Sequence, residues 1–500
     1  MHAQKHCTPR PFTAGLIALT ALLASTACAQ TFTTRILAHV PRNVTSVSLN
    51  DNGWAVWTTG LGNSSQVFLW AGSEVIPLGF PNRNNRDARI NNNDWVVWSA
   101  IKANDTGQGS TDIYVWKGDG VPESVSTGLD SSAEPVINDR NDIAWWSSHE
   151  GIHDVFYLPA GSSTYRNLTE FDAVGASAMP QIDNNGYISW VRTIEIAPHV
   201  GASNLVFSTT GSTSDFTQIT FRDDLNVYNY GMTSSGKLVW VQYNDAISRW
   251  EVWEYDRNTG VSRAIPGSQT QFFSPPAVRE DGTIAFPVYI TTLTYRLYWH
   301  RNGVTELIPI TTSYTQNRPV ALNNRGQILF ASGNSSATGF YLILATPSDA
   351  PPSVSGRIQM EGIAANAPAQ RITLTFRPSN NAPEFTRRVM LAPSGTFTVY
   401  NVPPNQYLVR VKGKKWLATA LPVNTMAGNV VNLTLTLRAG DANNDNVVDV
   451  LDLAELIAAF DATPGAANWN EGRADLNCDN VVDVLDLDLL VRNFDLEGAP

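Results

Sequence analysis

The stretch Leu49-Asn50-Asp51-Asn52-Gly53-Trp54-Ala55-Val56-Trp57 decides the fold, because six variants of it follow along the chain. The equivalent turns are Ile90 to Asp94, Ile137 to Asp142, Ile182 to Gly186, Thr233 to Gly236, Arg279 to Gly282 and Leu322 to Gly326. Four residues after the last turn residue stands an aromatic ring in every copy: Trp57, Trp98, Trp146, Trp190, Trp240, Phe286 and Phe330. An Asn/Asp/Gly turn leading into alternating apolar residues is a hairpin signal, since a tight connection needs positive φ at its centre. A second aromatic strand follows, as in Val67 to Trp70 and Ile113 to Trp116, and then a last short strand such as Glu74 to Pro77. With the strand before the turn, each unit has four strands. The aligned turns lie 41 to 50 residues apart, the length of a propeller blade and too long for a β-helix coil. The spacing predicts a seven-bladed β-propeller over residues 30–346.

The ends of the array predict how the ring closes. The seventh unit runs from Phe340-Tyr-Leu-Ile-Leu344 to Pro347 without a last strand, whereas Arg35-Ile-Leu-Ala-His-Val40 precedes the first unit and supplies one. Joining the two leaves no exposed sheet edge. The pattern is similar to that of TolB-like propellers over about 300 residues. Rings at equivalent positions in every blade are read as packing between sheets, in preference to platforms for sugar stacking. Trp54 and Trp95, beside the turns, are placed between blades. The turn carboxylates, Asp51, Asp183 and Asp281 among them, are read as satisfying local backbone groups. No catalytic set is predicted: His149, His153, His199 and His300 are scattered without metal-ligand spacing, and no nucleophile-elbow, P-loop or zincin motif occurs.

Residues 347–352 form a Pro-rich linker, after which the pattern changes to that of a small β-sandwich over 353–438. Strands are predicted at Val354–Ile358, Ile372–Phe376, Arg388–Leu391, Thr396–Val399, Tyr407–Val411 and Val430–Leu437. The stretch Gly395 to Val411, with Phe397, Asn401, Pro403 and Tyr407, resembles the carboxypeptidase regulatory-like domain, which implies a transthyretin-like, non-catalytic fold. Lys412, Lys414, Lys415 and Trp416 are read as a solvated hairpin end with one packed ring, and the module as a spacer that sets the propeller away from its attachment point.

The tail, residues 439–500, is of another kind. Asp441, Asn443, Asp445, Val447, Asp449 and Asp452 stand at positions 1, 3, 5, 7, 9 and 12 of a twelve-residue loop, and Asp475, Asn477, Asp479, Val481, Asp483 and Asp486 repeat the register. A hard dication takes six to eight oxygens, and such a loop supplies them, with position 7 giving a main-chain carbonyl. Position 6, commonly Gly, is Asn446 and Asn480, and Asn tolerates a left-handed backbone. Each loop precedes a predicted helix, Leu453–Phe460 and Leu487–Phe494, with none before it. The duplicated loop-plus-helix, Asp at position 12 and the shared run at 446–453 and 480–487 resemble a dockerin domain. That resemblance implies two Ca2+ ions and a cohesin-like module or cell-surface scaffold as partner. The repeated Val450-Leu451 and Val484-Leu485 either face that partner from a pseudo-twofold surface or pack the two halves together.

Residues 1–29 carry Lys5 and Arg10, an apolar run and Ala27-Cys28-Ala29, and are read as a secretory signal peptide cleaved after Ala29, in preference to lipoprotein processing at Cys28. Its removal takes Cys7 and Cys28, leaving Cys478 alone, so stability cannot come from a disulfide within the chain. The tail from 441 onward carries 14 of the 45 acidic residues and 2 of the 34 basic ones, leaving the remainder nearly balanced. There is no basic stripe for nucleic acid and no further membrane span. The fold class expected is therefore mainly β, with a seven-bladed β-propeller, a small β-sandwich and a small α-helical duplicated calcium-loop domain. The function expected is a secreted, calcium-binding display protein. Its tail attaches it, and its propeller acts as a binding or scaffold module in extracellular polysaccharide degradation, with carbohydrate a candidate ligand. The alternative is a carbohydrate-active enzyme, a glycoside hydrolase or polysaccharide lyase, with its site in the propeller mouth.

Overall fold

The computed structural model describes residues 30–500 apart from 42, 61–64, 103–108, 150–151, 171–174, 198–199, 209–215, 222–227, 270–274, 292–293, 311–315 and 334–338. The expected leader at 1–29 and His199 lie outside the described residues. Seven four-stranded antiparallel sheets follow one another along the chain. Blade 1 is Val44–Leu49, Ala55–Thr59, Gln66–Trp70 and Val75–Pro77. Blade 7 is Gln316–Leu322, Ile328–Gly333 and Phe340–Pro347, completed by the N-terminal strand Phe32–Val40. That strand pairs antiparallel with Phe340–Pro347 from Phe32 opposite Pro347 to Val40 opposite Phe340, the closure expected from the sequence.

Seven apolar clusters hold the propeller, one between each pair of neighbouring blades. Trp57, Trp98, Trp190, Trp240, Phe286 and Phe330 are all fully buried in them. The third copy departs from the expectation. Asn138 accepts from Asn141 and donates to the Asp142 carbonyl, as Asn50 does with Gly53 and Trp54, so Asn141 and not Asp142 ends that turn. The buried ring of blade 3 is consequently Trp145, and Trp146, one residue on, points to the opposite face of its strand. Trp54 lies between blades 1 and 2, as expected, and donates its indole N–H to the Arg388 carbonyl, 3.1 Å away in the sandwich. Trp95 packs between blades 2 and 3.

The turn residues divide their work. The first Asx residue of a turn caps its own backbone: Asn50 Oδ1 accepts from Asn52 N and Trp54 N. The second reaches the next blade. Asn92 Oδ1 accepts from Asp51 N at 2.7 Å, and Asp139, Asn184, Ser234, Glu280, Asn324 and finally Asp51 repeat the contact, each at 2.8–3.0 Å. These seven bonds close a ring around the channel mouth. Asp51 thus joins blades 7 and 1, whereas Asp183 and Asp281 keep the local role expected, accepting from Tyr187 N and Thr283 N.

After Pro347 the chain forms two facing sheets. One orders Phe385–Leu391, Gln370–Pro378, Gln406–Gly413 and Trp416–Asn424, and the other Thr396–Val399, Val354–Met360 and Val430–Leu437. Trp416–Asn424 was not expected as a strand. Its first residue turns straight back from Gly413 in the preceding strand, so Lys412 to Trp416 is a tight hairpin whose two-residue end exposes Lys414 alone. The sandwich sits against the turn face of blades 1 and 2. Met390 N and Thr398 N donate to Ala71 O and Gly72 O at 3.0 and 2.6 Å, and Asn401 Nδ2 donates to Asp51 O and Gln327 Oε1. Gly72 has φ +87°, and any Cβ there would meet the Thr398 carbonyl at 2.6 Å. The module is therefore no spacer. Polar main-chain groups and Tyr400, 6.0 Å from the Trp70 ring, fasten it to the propeller.

The last two helices, α1 (Val450–Ala458) and α2 (Val484–Arg492), begin three residues earlier than expected. The physical cause is a capping box: Asp449 caps α1 while the Asp452 side chain returns to Asp449 N, and Asp483 and Asp486 do the same for α2. Sandwich and tail share a single core, in which Leu437, Val411 and Trp416 meet Ala439, Val448, Leu456, Leu476, Val482 and Leu490.

Candidate calcium loops and propeller channel

Each loop is shaped by its own side chains. Asn446 and Asn480 have φ of 77° and 73°, the left-handed conformation expected at position 6. Asn446 Oδ1 also accepts from Ala418 N in the sandwich at 2.8 Å. Asn443 Oδ1 accepts from Asp445 N and Asp445 Oδ1 from Val447 N, both at 2.9 Å, and Asn477 and Asp479 repeat the pair. Asp452 accepts from Asn443 N and Asp449 N, and Asp486 from Leu476 N, Asn477 N and Asp483 N. The twelve residues of the two registers are thus gathered as two compact loops.

The side chains fit a dication. Asp441 is fully buried, and its Oδ1 has no hydrogen-bond partner, a buried acceptor at position 1 of the loop left unsatisfied. Burial raises the carboxyl pKa of Asp441, Asp452, Asp475 and Asp486, the last to about 6, and neighbouring loop carboxylates add to the rise. A bound cation reverses that penalty. Among the described residues no three His, Cys, Asp or Glu side chains gather closely enough to hold a metal by themselves. Amide and main-chain oxygens must contribute, as a twelve-residue loop provides. Cys478, at position 4 of the second loop, is free and buried.

Sequence reasoning missed the sandwich's part in this site. Lys412 Nζ lies 2.7 Å from Asp441 Oδ2, Lys415 Nζ donates to the Asp475 carbonyl, and Ala364 N donates to the Asn477 carbonyl at 2.8 Å. Lys412 and Lys415 are therefore not a solvated turn, and Trp416 is fully buried with its indole N–H on the Glu361 carbonyl. Lys414 is exposed and pairs with Asp119 of the propeller at 3.1 Å. No signal in the sequence places Lys412 and Lys415 on the loops, since both contacts are long-range, 29 and 60 residues apart.

The second feature is the propeller channel, a cavity of about 310 Å³ lined by the innermost strands. Those strands carry bulges at Arg86/Arg89, Ala133/Val136 and Ala178/Gln181. The bulges set Asp87, Glu134 and Met179 at φ of 57°, 52° and 54° and bring all three to the cavity wall beside Arg89 and Tyr230. Burial raises the Glu134 pKa to about 7, with the Asp87 charge adding to it, and Trp146 Nε1 donates to its Oε2 at 3.0 Å. Glu134 and Met179 each precede a proline, which suits a point where the ladder is broken and no N–H is needed. That dipeptide was the legible signal for the channel residues. The His153 ring lies 4.5 Å from that of Trp146, tilted by 34°, and His300 Nδ1 is 2.9 Å from Thr305 Oγ1.

The fold and its paired loops define a propeller-bearing protein with a duplicated calcium-loop module. Residues 439–495 match the family model of the Dockerin type I domain, and this segment of the chain is a dockerin domain. Among solved structures, similar chains include a mutant type II cohesin–X–dockerin complex from Acetivibrio cellulolyticus (20% identity, covering 29% of this chain and 97% of that one, TM-score 0.24). Others are the β-propeller domain of the Trilobed protease from Pyrococcus furiosus (9%, 61% and 95%, 0.45) and TolB from Acinetobacter baumannii (12%, 57% and 60%, 0.35). No curated protein matches the chain. No helix among the described residues is long and apolar enough to cross a membrane.

Proposed function

We propose that this is an exported display protein whose dockerin domain attaches it, with two Ca2+ ions bound, to a cohesin-type module or cell-surface scaffold. The propeller (30–346) is the presented binding or scaffold module, the sandwich (353–438) a rigid adaptor, and extracellular polysaccharide degradation the setting. The ions would be held by Asp441, Asn443, Asp445, Val447, Asp449 and Asp452 in one loop and by Asp475, Asn477, Asp479, Val481, Asp483 and Asp486 in the other. The observation that carries the attachment is the exposure of Val450, Leu451, Val484 and Leu485, at 63, 57, 63 and 54%. They stand outside the core shared with the sandwich, which Leu456, Leu489 and Leu490 enter from the buried side of the same helices, and this supports the partner surface over packing of the two halves. Repeated apolar residues left in water on matching first turns suit a partner surface. Cohesin capture by the full chain in calcium should survive loss of one face and vanish when V450E/L451E and V484E/L485E are combined. A combined variant that keeps its calcium-bound melting temperature and still captures cohesin would overturn the interface.

A second reading is an enzyme with its site in the channel. It is favoured by two carboxylates on one cavity wall, Glu134, whose pKa burial raises to about 7, and Asp87, which burial also raises, since glycoside hydrolysis uses a pair of carboxyl groups. Release of sugars from a polysaccharide panel, lost in both E134Q and D87N, is the expected sign of it; no turnover by the intact chain would remove it.

A further inference from the structure

The two calcium loops are the same in sequence from 446 to 453 and 480 to 487, yet the sandwich treats them differently. In loop 1 the first carboxylate is divided. Asp441 Oδ2 takes the Lys412 ammonium at 2.7 Å and Asn446 N at 3.1 Å, while Oδ1 is buried and without a partner. Lys412 is itself largely enclosed, its side chain 14% exposed, and it donates also to Asn444 Oδ1 at 2.8 Å and Gly413 O at 2.7 Å. In loop 2 the corresponding carboxylate is held by main chain alone: Asp475 Oδ1 accepts from Asp479 N and Oδ2 from Asn480 N, both at 3.1 Å. The lysine that reaches loop 2, Lys415, places its ammonium on the Asp475 carbonyl and near Cys478 Sγ.

We propose that Lys412 is a tethered counter-cation of the first calcium loop, which holds that loop in shape before the ion arrives and makes it the weaker of the two calcium sites. The ammonium takes the oxygen that faces the sandwich and leaves the other for the ion, so lysine and calcium are bound together rather than in exchange. Like charges a few ångströms apart in a largely enclosed site repel, and Lys412 also withdraws charge from a ligand carboxylate. In loop 2 the Lys415 charge is spent on the Asp475 carbonyl and acts on the carboxylate only from a distance, so both carboxylate oxygens are left for the ion and loop 2 fills first. The consequence is staged loading: loop 2 and its helix are set at low calcium, and loop 1 completes the surface only as calcium rises. The inference rests on calcium binding by both loops as proposed above.

Calorimetric titration of the chelated full-length protein with calcium chloride tests it. The wild-type chain should show two sites of unequal affinity, and D441A should remove the weaker one. K412M should tighten the weaker site by about tenfold and lower the melting temperature of the calcium-free protein, while K412R should behave like the wild type. Two wild-type sites within twofold of each other, or K412M affinities within twofold of wild type, would overturn the proposal. The first of these holds even if K412M does not fold. Absence of any calcium binding would instead remove the calcium reading itself, so the two failures are distinguishable.

Discussion

The propeller and the sandwich–dockerin half are built on opposite plans. The propeller divides its apolar residues into seven clusters, each shared by two neighbouring blades, so no blade has a core of its own and the ring is as strong as its last joint. The C-terminal half merges two modules of unlike secondary structure into one core. A repeated interface can be lost at one point only by opening a circle, whereas a merged core is lost as a whole. Each plan makes a different kind of substitution costly.

The largest effect should follow from breaking the circle. A chain starting at residue 45 loses the strand Phe32–Val40 and with it the pairing that completes blade 7. It should lose solubility or melt more than about 10 °C below a chain starting at residue 30, measured by calorimetry. Equal melting would mean that the blade 7–blade 1 contact suffices alone. Next comes the merged core. Trp416→Ala removes a fully buried ring at the junction of sandwich and dockerin and should cost about 3–5 kcal/mol. Because the core is common, sandwich and dockerin should melt in one transition and move together. A dockerin transition unmoved by the substitution would show two cores and not one.

These two plans were unequally visible in the sequence. Turn spacing and the rings from Trp57 to Phe330 announced seven blades because each contact recurs seven times, and the missing strand after Leu344 announced the closure. The one slip, Trp146 for Trp145, came where the turn runs Asn138-Asp-Arg-Asn-Asp142 without glycine, so two residues competed as its end. The calcium registers were equally legible, being local. The union of sandwich and tail was not. Lys412 on Asp441, Glu361 on Asn493 and Asn446 on Ala418 are each made once, between residues 28 to 132 positions apart, and nothing in a hairpin's composition says what its end will touch. The ring of second turn residues, five Asx with Ser234 and Glu280, lay between these cases: its members were visible, but a polar turn side chain serves its own turn or a neighbour's with equal ease.

That ring gives a further test of the circular plan. Asp51 accepts from Asn324 N and Nδ2 on one side and from Asn92 Nδ2 on the other, so Asp51→Ala strands donors in both neighbouring blades. A loss of about 2–4 kcal/mol from the propeller transition is expected, with the sandwich–dockerin transition unchanged. A loss below about 0.5 kcal/mol would assign closure to the N-terminal strand alone.

The smallest effect separates the halves by pH. Glu134 has its pKa raised from 4.5 to about 7 by burial, then by the charge of Asp87, against the hydrogen bond from Trp146 and the nearby Arg89. For an acid whose folded pKa is raised, the folded state binds the proton more tightly than the unfolded chain. Its contribution is fully present below pH 4.5 and is lost as pH rises through about 7, so above that the ionised carboxylate weakens the propeller. Glu134→Gln keeps an acceptor for Trp146 and cannot ionise. It should leave propeller melting unchanged at pH 4.5 and stabilise it at pH 8 by on the order of 2 kcal/mol, allowing for solvent that reaches the channel. The comparison is between variant and wild type at each pH, which cancels the other titrating carboxylates. The dockerin transition, distant from the channel, should show no difference between the two chains at either pH. A variant that is no more stable than wild type at pH 8 would place the Glu134 proton elsewhere and remove the neutral carboxyl from the channel wall.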